Sequence, residues 1–486
     1  MNKTLSSLLE TIPFEECLGT TDRVITDVTI DSRTVTATAL FVAQKGETLD
    51  GHDFIGQAIE NGARTIVCQT IPSLLHDGVT YIKVIDSHHA AGLIASWLYD
   101  FPARDLTLIG VTGTNGKTTV ATLLWQSLRL LGNKVGLIST VSHWIDECEI
   151  PSTHTTPDAI TLQKLFRTMA DAGCTHVIME VSSHAIAQKR IAGLTFAVGI
   201  FTNLTQDHLD FHNTMEAYGA TKKTFFSSLQ SSAYAITNFD DSYGASMVDD
   251  TQATTLSYAI TAPADYVAKD ILLSIDGTSF TIENTALAST LIGAFNLSNI
   301  LAVYACLRTL SYNPSDIAQI IPALVPPPGR LELIKGPEDR IGVIDYAHTP
   351  DGLEKLLTTL QAIKKPHTQL IVVFGCGGDR DTSKRPLMGT IALTHSDYCV
   401  ITSDNPRNES PQSICDDILK GLPEQRASYI VIVDRKEAIY HAVQNSLPGD
   451  TIVIAGKGHE EYQIIGTDKL PFSDRTVLAE AFTALE

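Results

Sequence analysis

The segment Gly110-Val-Thr-Gly-Thr-Asn-Gly-Lys-Thr-Thr119 constrains the fold of this chain more than any other. It follows an apolar run, Leu106 to Val111, that reads as a buried strand. It precedes a predicted helix whose Val120, Leu123, Leu124, Leu128 and Leu131 share one face, with Gly132 placed to stop it. A strand, a glycine-rich turn and a helix, in that order, wrap backbone N–H groups and a positive helix end around a phosphate chain. Gly113, Thr114, Asn115, Gly116, Lys117, Thr118 and Thr119 supply the turn: Lys117 has the length to reach β- and γ-phosphates, and the Thr118 hydroxyl suits magnesium. Val111 stands where the strict G-x-x-x-x-G-K-[ST] pattern has its first glycine, so the reading rests on the strand–turn–helix setting. The alternative is a glycine turn beside a solvated lysine.

A chain of 486 residues exceeds one hydrophobic core. Three domains are expected, over 1–101, 102–328 and 329–486. In the first, ALFVA, DFIGQAIENGA and TIVCQ suggest a small α/β unit that ends near FPARDL at Pro102. Strands and helices then alternate to Asn296, and PPPGR at Pro326 to Arg330 breaks any regular element. Beyond it, QLIVVFG, DYCVITS, SYIVIVD and DTIVIAG are short apolar runs, the pattern of a parallel sheet covered on both faces. The fold class is therefore α/β.

A formal net charge of -20 argues against nucleic acid and anionic membrane as partners, and leaves anionic small molecules to be held by local donors. Eight scattered cysteines, with no C-x-x-C pair, predict no zinc site and mostly reduced, buried thiols. The N-terminus lacks a secretory apolar core, and no run approaches the roughly 20 apolar residues of a membrane span, so a cytoplasmic protein without stable membrane insertion is expected.

Glu180 closes the strand HVIM, and His208 follows VGIF and TNL in a similar position, so the two loop tips can converge on one cation. Asn213 and Glu216 are placed to cap the helix that carries Lys222, which by itself reads as a surface lysine. Asp404-Asn-Pro-Arg407 follows YCVITS. It is either a turn capped by Asp404 or a loop whose Arg407 grips a carboxylate bidentately.

The core GTNGKTT resembles the phosphate loop of the Mur ligases and of the related folylpolyglutamate synthases. Thr155-Thr156-Pro157, Glu180-Val-Ser-Ser-His184, Thr202-Asn-Leu204, Asp207-His-Leu-Asp210, Asp345-Tyr-Ala-His-Thr-Pro350 and Gly456-Lys-Gly-His-Glu460 also resemble Mur-ligase motifs, in the expected order. The resemblance spans nearly the whole chain. It implies a small N-terminal α/β domain, a central ATPase-like parallel-sheet domain and a C-terminal Rossmann-like domain. It implies Lys117, Glu180, His208 and Lys222 as the catalytic set. Thr118, Glu180, His208 and Lys222 would hold Mg2+, with Lys222 carbamylated; spacing from Tyr218 favours Lys222 over Lys223.

By the same resemblance Asn296, Arg330 and Asp345 join the glycine loop on ATP. Ser32, Thr155, Thr156, Ser182, Gln188 and Arg190 would hold a UDP-muramoyl peptide. Arg380, Asp404, Asn405, Pro406, Arg407, Gly456 and Glu460 would hold the added amino acid, with Glu460 facing an ammonium group. D-N-P-R resembles the motif of diaminopimelate-adding members rather than lysine-adding ones, since diaminopimelate carries the distal carboxylate that lysine lacks. The implied reaction of peptidoglycan precursor synthesis uses ATP to phosphorylate the D-glutamate side-chain carboxylate of UDP-N-acetylmuramoyl-L-alanyl-D-glutamate. The amine of meso-diaminopimelate then attacks the acyl phosphate. Other wall-synthesis enzymes are candidate partners. A lysine-adding Mur ligase, a folylpolyglutamate synthase and a non-catalytic nucleotide-binding scaffold are the alternatives.

Overall fold

A computed structural model of the chain describes residues 3–46, 49–152, 154–422 and 428–485, with backbone alone at 210. Among the described residues, three large sheets follow one another along the sequence. The first has the strand order Glu16–Leu18, Thr80–Lys83, Thr65–Cys68, Ala39–Val42, Asp27–Thr29, parallel except for its first pair. The expected ALFVA and TIVCQ runs are its two most buried strands. They read as continuous apolar segments because helices or loops cover both faces. Helix Ser87–Leu98, started by Asp86 accepting from the N–H groups of His88 and His89, packs on helix Ala159–Asp171 of the next unit.

The central sheet runs Tyr266–Val267, Thr254–Ala259, Tyr234–Asn238, Val198–Phe201, Thr107–Thr112, His176–Glu180, Val135–Ile138, Ser142–Ile145, Cys148–Pro151, parallel up to Val135–Ile138. Alternate residues of its strands enter two cores: Ile109, Val111 and Ile178 on one face, Leu108, Val177 and Met179 on the other. The expected βα alternation up to Asn296 is corrected here. Three antiparallel strands intervene, Lys269–Ser274, Gly277–Ile282 and Thr285–Ser289, and Gly277–Ile282 alternates buried with half-buried residues as a one-sided sheet does. Asn296 lies in the first turn of helix Ala294–Thr309 instead of ending the pattern.

The third sheet has the order Glu332–Lys335, Ile341–Asp345, Thr451–Ala455, Leu370–Phe374, Tyr398–Ile401, Tyr429–Val431, with only the first pair antiparallel. The four apolar runs expected after PPPGR are all present. Glu332–Lys335 and Ile341–Asp345 are additional, and a hairpin, Tyr462–Ile465 with Asp468–Pro471, follows the last strand. Of the cysteines, Cys148 is exposed and Cys17 half-buried; the other six are buried, and all eight are free thiols. Among the described residues no helix is long and apolar enough to cross a membrane.

Candidate active site

The register of the central sheet brings three strand ends level. Glu180 lies opposite Val111, and Phe201 opposite Thr112, so the glycine loop leaves the sheet between the Glu180 strand and the strand that leads to Thr202. This is the carboxyl edge at which open α/β sheets hold ligands. Helix Lys117–Leu130 begins at Gly116 with no side-chain cap, so its first N–H groups remain unspent by capping side chains. Gly113 has φ +146, and any Cβ there would collide with the Thr202 hydroxyl, which itself donates to Asn115 O at 2.6 Å. Asn203 Oδ1 accepts from Asn115 N at 2.9 Å and completes the cradle under the loop.

Two lysines meet at this loop. Lys117 Nζ folds back to donate to Gly113 O and Thr114 O at 3.0 and 2.7 Å, and Lys222 Nζ donates to the same Gly113 O at 2.9 Å. The bare-sequence reading of Lys222 as a surface lysine is corrected: its residue is 1% exposed, with the ammonium 4.6 Å from the centre of the Tyr218 ring. Neighbouring Lys223 is the one turned outward, paired with Asp249 and Asp250. Burial, and then the positive charge of Lys117, hold the Lys222 amine well below its ordinary pKa; burial lowers that of Lys117 as well. Its helix, Met215–Ser227, is capped by Thr214, whose side chain accepts from Ala217 N. Asn213 has φ +65 and ends the preceding turn, so the capping role expected of Asn213 and Glu216 falls to Thr214.

Glu180 is buried. Its Oε2 takes the Thr118 hydroxyl at 3.0 Å, its Oε1 takes Thr140 N at 2.7 Å, and its backbone oxygen takes the Thr156 hydroxyl at 2.8 Å. Thr119 is buried one residue on. His208, at φ +53, heads helix Leu209–His212, and its ring meets that of His184 edge-on at 4.9 Å. His208, His184, His154, Thr155, Thr156, Ser182, Gln188 and Arg190 line one open cavity of about 450 Å³. Within it Arg190 donates to Thr156 O at 2.7 Å and to Gln188 Oε1 at 2.7 and 3.0 Å, an arrangement that fixes the guanidinium. Ser32 stands outside this cavity: its hydroxyl donates to Gln57 at 2.8 Å inside the first sheet's unit. That unit approaches the cavity instead through Ile30, Gln44 and His88, which line a smaller space of about 130 Å³ with Asp158, Gln188 and Arg190.

Among the described residues, no three His, Cys, Asp or Glu side chains are arranged to hold a metal unaided. Glu180, His208 and the Thr118 hydroxyl furnish part of an oxygen-and-nitrogen set. A carboxylate on the buried Lys222 amine and phosphate oxygens would complete it, so the residues fit a hard cation such as magnesium.

Asp345 accepts from Leu331 N and Ala347 N at 2.7 and 2.8 Å; burial raises its pKa, against the opposing charge of Arg330. The Arg330 guanidinium stacks 4.6 Å from the centre of the Tyr346 ring, and its Nε is buried without a hydrogen bond. Asn296 is spent at the start of its helix, donating to Ile292 O just before it and accepting from Asn299. Asn299 is the residue under Gly116, 2.6 Å from where a Cβ would stand. The third sheet reaches the glycine loop through Asp351, whose Oδ2 accepts from Asn115 and Thr205 at 3.0 and 3.2 Å.

Residues 404–407 and 456–460 meet at the carboxyl edge of the third sheet, beside the end of the Asp345 strand, where Gly456 N donates to Asp345 O at 3.1 Å. Gly456, at φ +118, faces Asp404 so closely that a Cβ would lie 2.5 Å from Asp404 Oδ2. After Pro406, Arg407 is left-handed at φ +51 and docks on the hairpin as a short extra strand: its N–H donates to Ile464 O, and its carbonyl accepts from Gly466 N. Its guanidinium donates to Gly378 O at 2.8 Å. Exposed Arg380 donates to Asp379 O at 3.2 Å. Glu460 is not an isolated acid, because Lys457 and Asn405 both donate to its Oε2. Thr140, His184, Asn299, Asp351 and Lys457 are site residues that sequence reasoning left unassigned. His184 was visible inside the quoted E-V-S-S-H motif, whereas Thr140 and Asp351 meet partners 40 and 236 positions away in the chain, with no local signal.

The Mur ligase middle domain matches residues 111–307, the Mur ligase glutamate ligase domain 329–458, and the Mur ligase catalytic domain 24–99. The chain belongs to the Mur ligase family. Within it, the chain is 46% identical over 98% of its length, and 99% of the relative's, to the UDP-N-acetylmuramoyl-L-alanyl-D-glutamate–2,6-diaminopimelate ligase of Phocaeicola vulgatus. It is 41% identical over 94% of both chains to the ligase of the same name from Bacillus cereus. A solved structure of a ligase so named covers 100% of this chain and 99% of its own, at 31% identity and a TM-score of 0.73. A MurF ligase from Thermotoga maritima, solved with ADP, shares the fold at 20% identity and a TM-score of 0.59, covering 94% of this chain and 96% of its own.

Proposed function

We propose that this protein is the ATP-dependent ligase that joins meso-diaminopimelate to UDP-N-acetylmuramoyl-L-alanyl-D-glutamate, with release of ADP and phosphate. The observation that carries the reading is the convergence of Lys117, Lys222 and the Thr118–Glu180 pair on one glycine loop, in a chain alike end to end to ligases of that name. The chain divides at 101/102 and at 328/329 into units for the UDP precursor, for ATP and for the amino acid.

The glycine loop and the free end of helix Lys117–Leu130 bind the triphosphate, and Lys117 swings from its carbonyl partners to the β- and γ-phosphates. Arg330 and Asp345 hold the nucleoside end, with Asn296 supporting the loop through Asn299. Thr155, Thr156, Ser182, Gln188 and Arg190 seat the muramoyl peptide in the 450 Å³ cavity, and Ser32 steadies the first unit's approach to it. Thr118, Glu180, His208 and a carboxylate on Lys222 would hold magnesium, which would supply charge neutralisation for the transferred phosphoryl group. A neutral, buried amine is the form of Lys222 that adds carbon dioxide, losing a proton and gaining a carboxylate.

The D-glutamate side-chain carboxylate attacks the γ-phosphorus and ADP departs. The amine of diaminopimelate then attacks the acyl phosphate carbonyl, forming the amide and expelling phosphate. Arg407, with Arg380 beside it, takes the distal carboxylate of diaminopimelate, while Asp404, Asn405, Gly456 and Glu460 shape the pocket around it. Phosphate release with ATP, magnesium and the UDP-dipeptide tests this. Release with diaminopimelate and not with L-lysine is expected. Release with lysine overturns the specificity, and release with neither amine overturns the ligase reading in favour of a scaffold or folate enzyme.

A further inference from the structure

Lys457 is 0% exposed, yet it sits inside the loop that closes the amino-acid end of the third sheet. Its ammonium lies 3.0 Å from Asn405 Oδ1 and 3.0 Å from Glu460 Oε2. Asn405 Nδ2 donates to that same Glu460 oxygen at 2.8 Å, and Asn405 Oδ1 also accepts Ile464 N at 2.9 Å. Three side chains from two loops therefore close a ring of hydrogen bonds, and the hairpin strand Tyr462–Ile465 locks one corner of it.

The ring is one-sided. The cation is sealed in, while the Glu460 side chain remains 16% exposed. Asn405 is 4% exposed and Lys457 0%, so the Glu460 carboxylate is the member of the ring that a ligand can reach. Both bonds to Glu460 also fall on Oε2, which leaves Oε1 as the oxygen for a ligand. Asn405 is oriented by the same contacts, because its Oδ1 is taken twice and its Nδ2 must then face Glu460.

We infer that Lys457 is a positioning residue for the added amino acid: it pins Glu460 through Oε2 and Asn405 through Oδ1, so that Glu460 Oε1 faces the ammonium group of the incoming diamino acid. The inference rests on the ligase reading above. It makes Lys457 act only through Glu460 and Asn405, without touching the substrate.

The test measures KM for diaminopimelate, ATP and the UDP-dipeptide in the full-length protein, in Lys457→Met, in Glu460→Gln and in the double variant. Lys457→Met is expected to raise KM for diaminopimelate about tenfold and to leave the other two KM values within about twofold. Glu460→Gln should raise the same KM, and the double variant should be no worse than the worse single variant, because both changes remove one linked interaction. An equal rise in all three KM values, or additive losses in the double variant, overturns the inference. Should Lys457→Met not accumulate as folded protein, Glu460→Gln decides: an unchanged KM for diaminopimelate leaves Lys457 no ligand-facing acid to place and overturns it. Failure of the unaltered protein to form the amide overturns the ligase reading and the inference together, whereas an active protein with the wrong variant pattern overturns the inference alone.

Discussion

Around the glycine loop, Lys117 and Lys222 share the Gly113 carbonyl, and neither has an ion-pair partner among the described side chains. Around the loops of the third sheet three buried cations are matched, while Arg380 and Arg407 donate, among the described residues, only to backbone carbonyls. Arg385 is held by Glu409 and Asp417, Arg435 by Asp474, and Lys457 by Glu460. The first region leaves two amines without a paired acid, and on the ligase reading Lys117 is then available to phosphate and Lys222 to a carboxylate of its own. The second spends most of its buried charges on itself, and the result is a stiff frame around Arg407. Arg435 alone ties the ends of two strands together, donating to Ser403 O and Ala455 O while it pairs with Asp474. One region leaves its central groups to be completed by a ligand, and the other holds a few ligand-facing groups in a frame already paired within the protein.

Removing an unpaired group should therefore cost activity and little stability. Lys222→Ala is expected to lower the rate of phosphate release about 100- to 1,000-fold, the scale for losing one electrostatic element of a phosphoryl-transfer site. Formate should restore part of it, as a small carboxylate entering the vacated space. Full activity in the variant would sink the carbamate assignment. Arg407→Ala should come next, lowering kcat/KM for diaminopimelate about 100-fold through loss of a charge-assisted carboxylate contact. Competition assays between diaminopimelate and lysine check it; an unchanged preference ratio would remove Arg407 from the specificity account.

The contrast also explains what the sequence made legible. Continuous apolar runs such as Leu370–Phe374 announce strands covered on both faces, and the glycine loop carries its own geometry because Gly113 and Gly116 sit where L side chains strain. Half-buried strands such as Glu332–Lys335 lack that signature and passed unseen. The burial of Lys222 is a tertiary fact, made by the Tyr218 ring one helical turn back and by a carbonyl 109 positions away in the chain. Asp351 meets Asn115 across 236 positions, and no local pattern records that meeting. The capping role expected of Asn213 slipped by one residue to Thr214, the usual scale of error at helix ends.

Breaking a matched pair should do the reverse of breaking an unspent one. Asp474→Ala leaves Arg435 buried and uncompensated, at a cost of about 3 kcal/mol or more. A clear fall in the thermal unfolding temperature is expected, together with a raised KM for diaminopimelate, because residues 403 and 455 lose their common anchor. Lys222→Met should show no such fall. If the two variants unfold alike, the division between paired and unpaired groups does not hold.

The smallest effect concerns a group at the seam of the two regions. His459 lies 5.3 Å from the Tyr346 ring, its Nδ1 is buried without a partner, and burial reinforced by Arg330 pulls its pKa from 6.5 to about 4. In the unfolded chain the imidazole binds its proton as pH falls through 6.5, while the folded protein resists until about 4. Between those values the unfolded state holds more protons, so this group makes stability decline as pH drops, and adds nothing further below about 4. His459→Phe removes the titration and keeps a ring against Tyr346. Thermal unfolding measured across this interval should therefore show a shallower acid slope in the variant than in the parent. Parallel slopes would mean that His459 accepts its proton in the folded protein as readily as in the unfolded one, and that the seam is wetter than its buried Nδ1 implies.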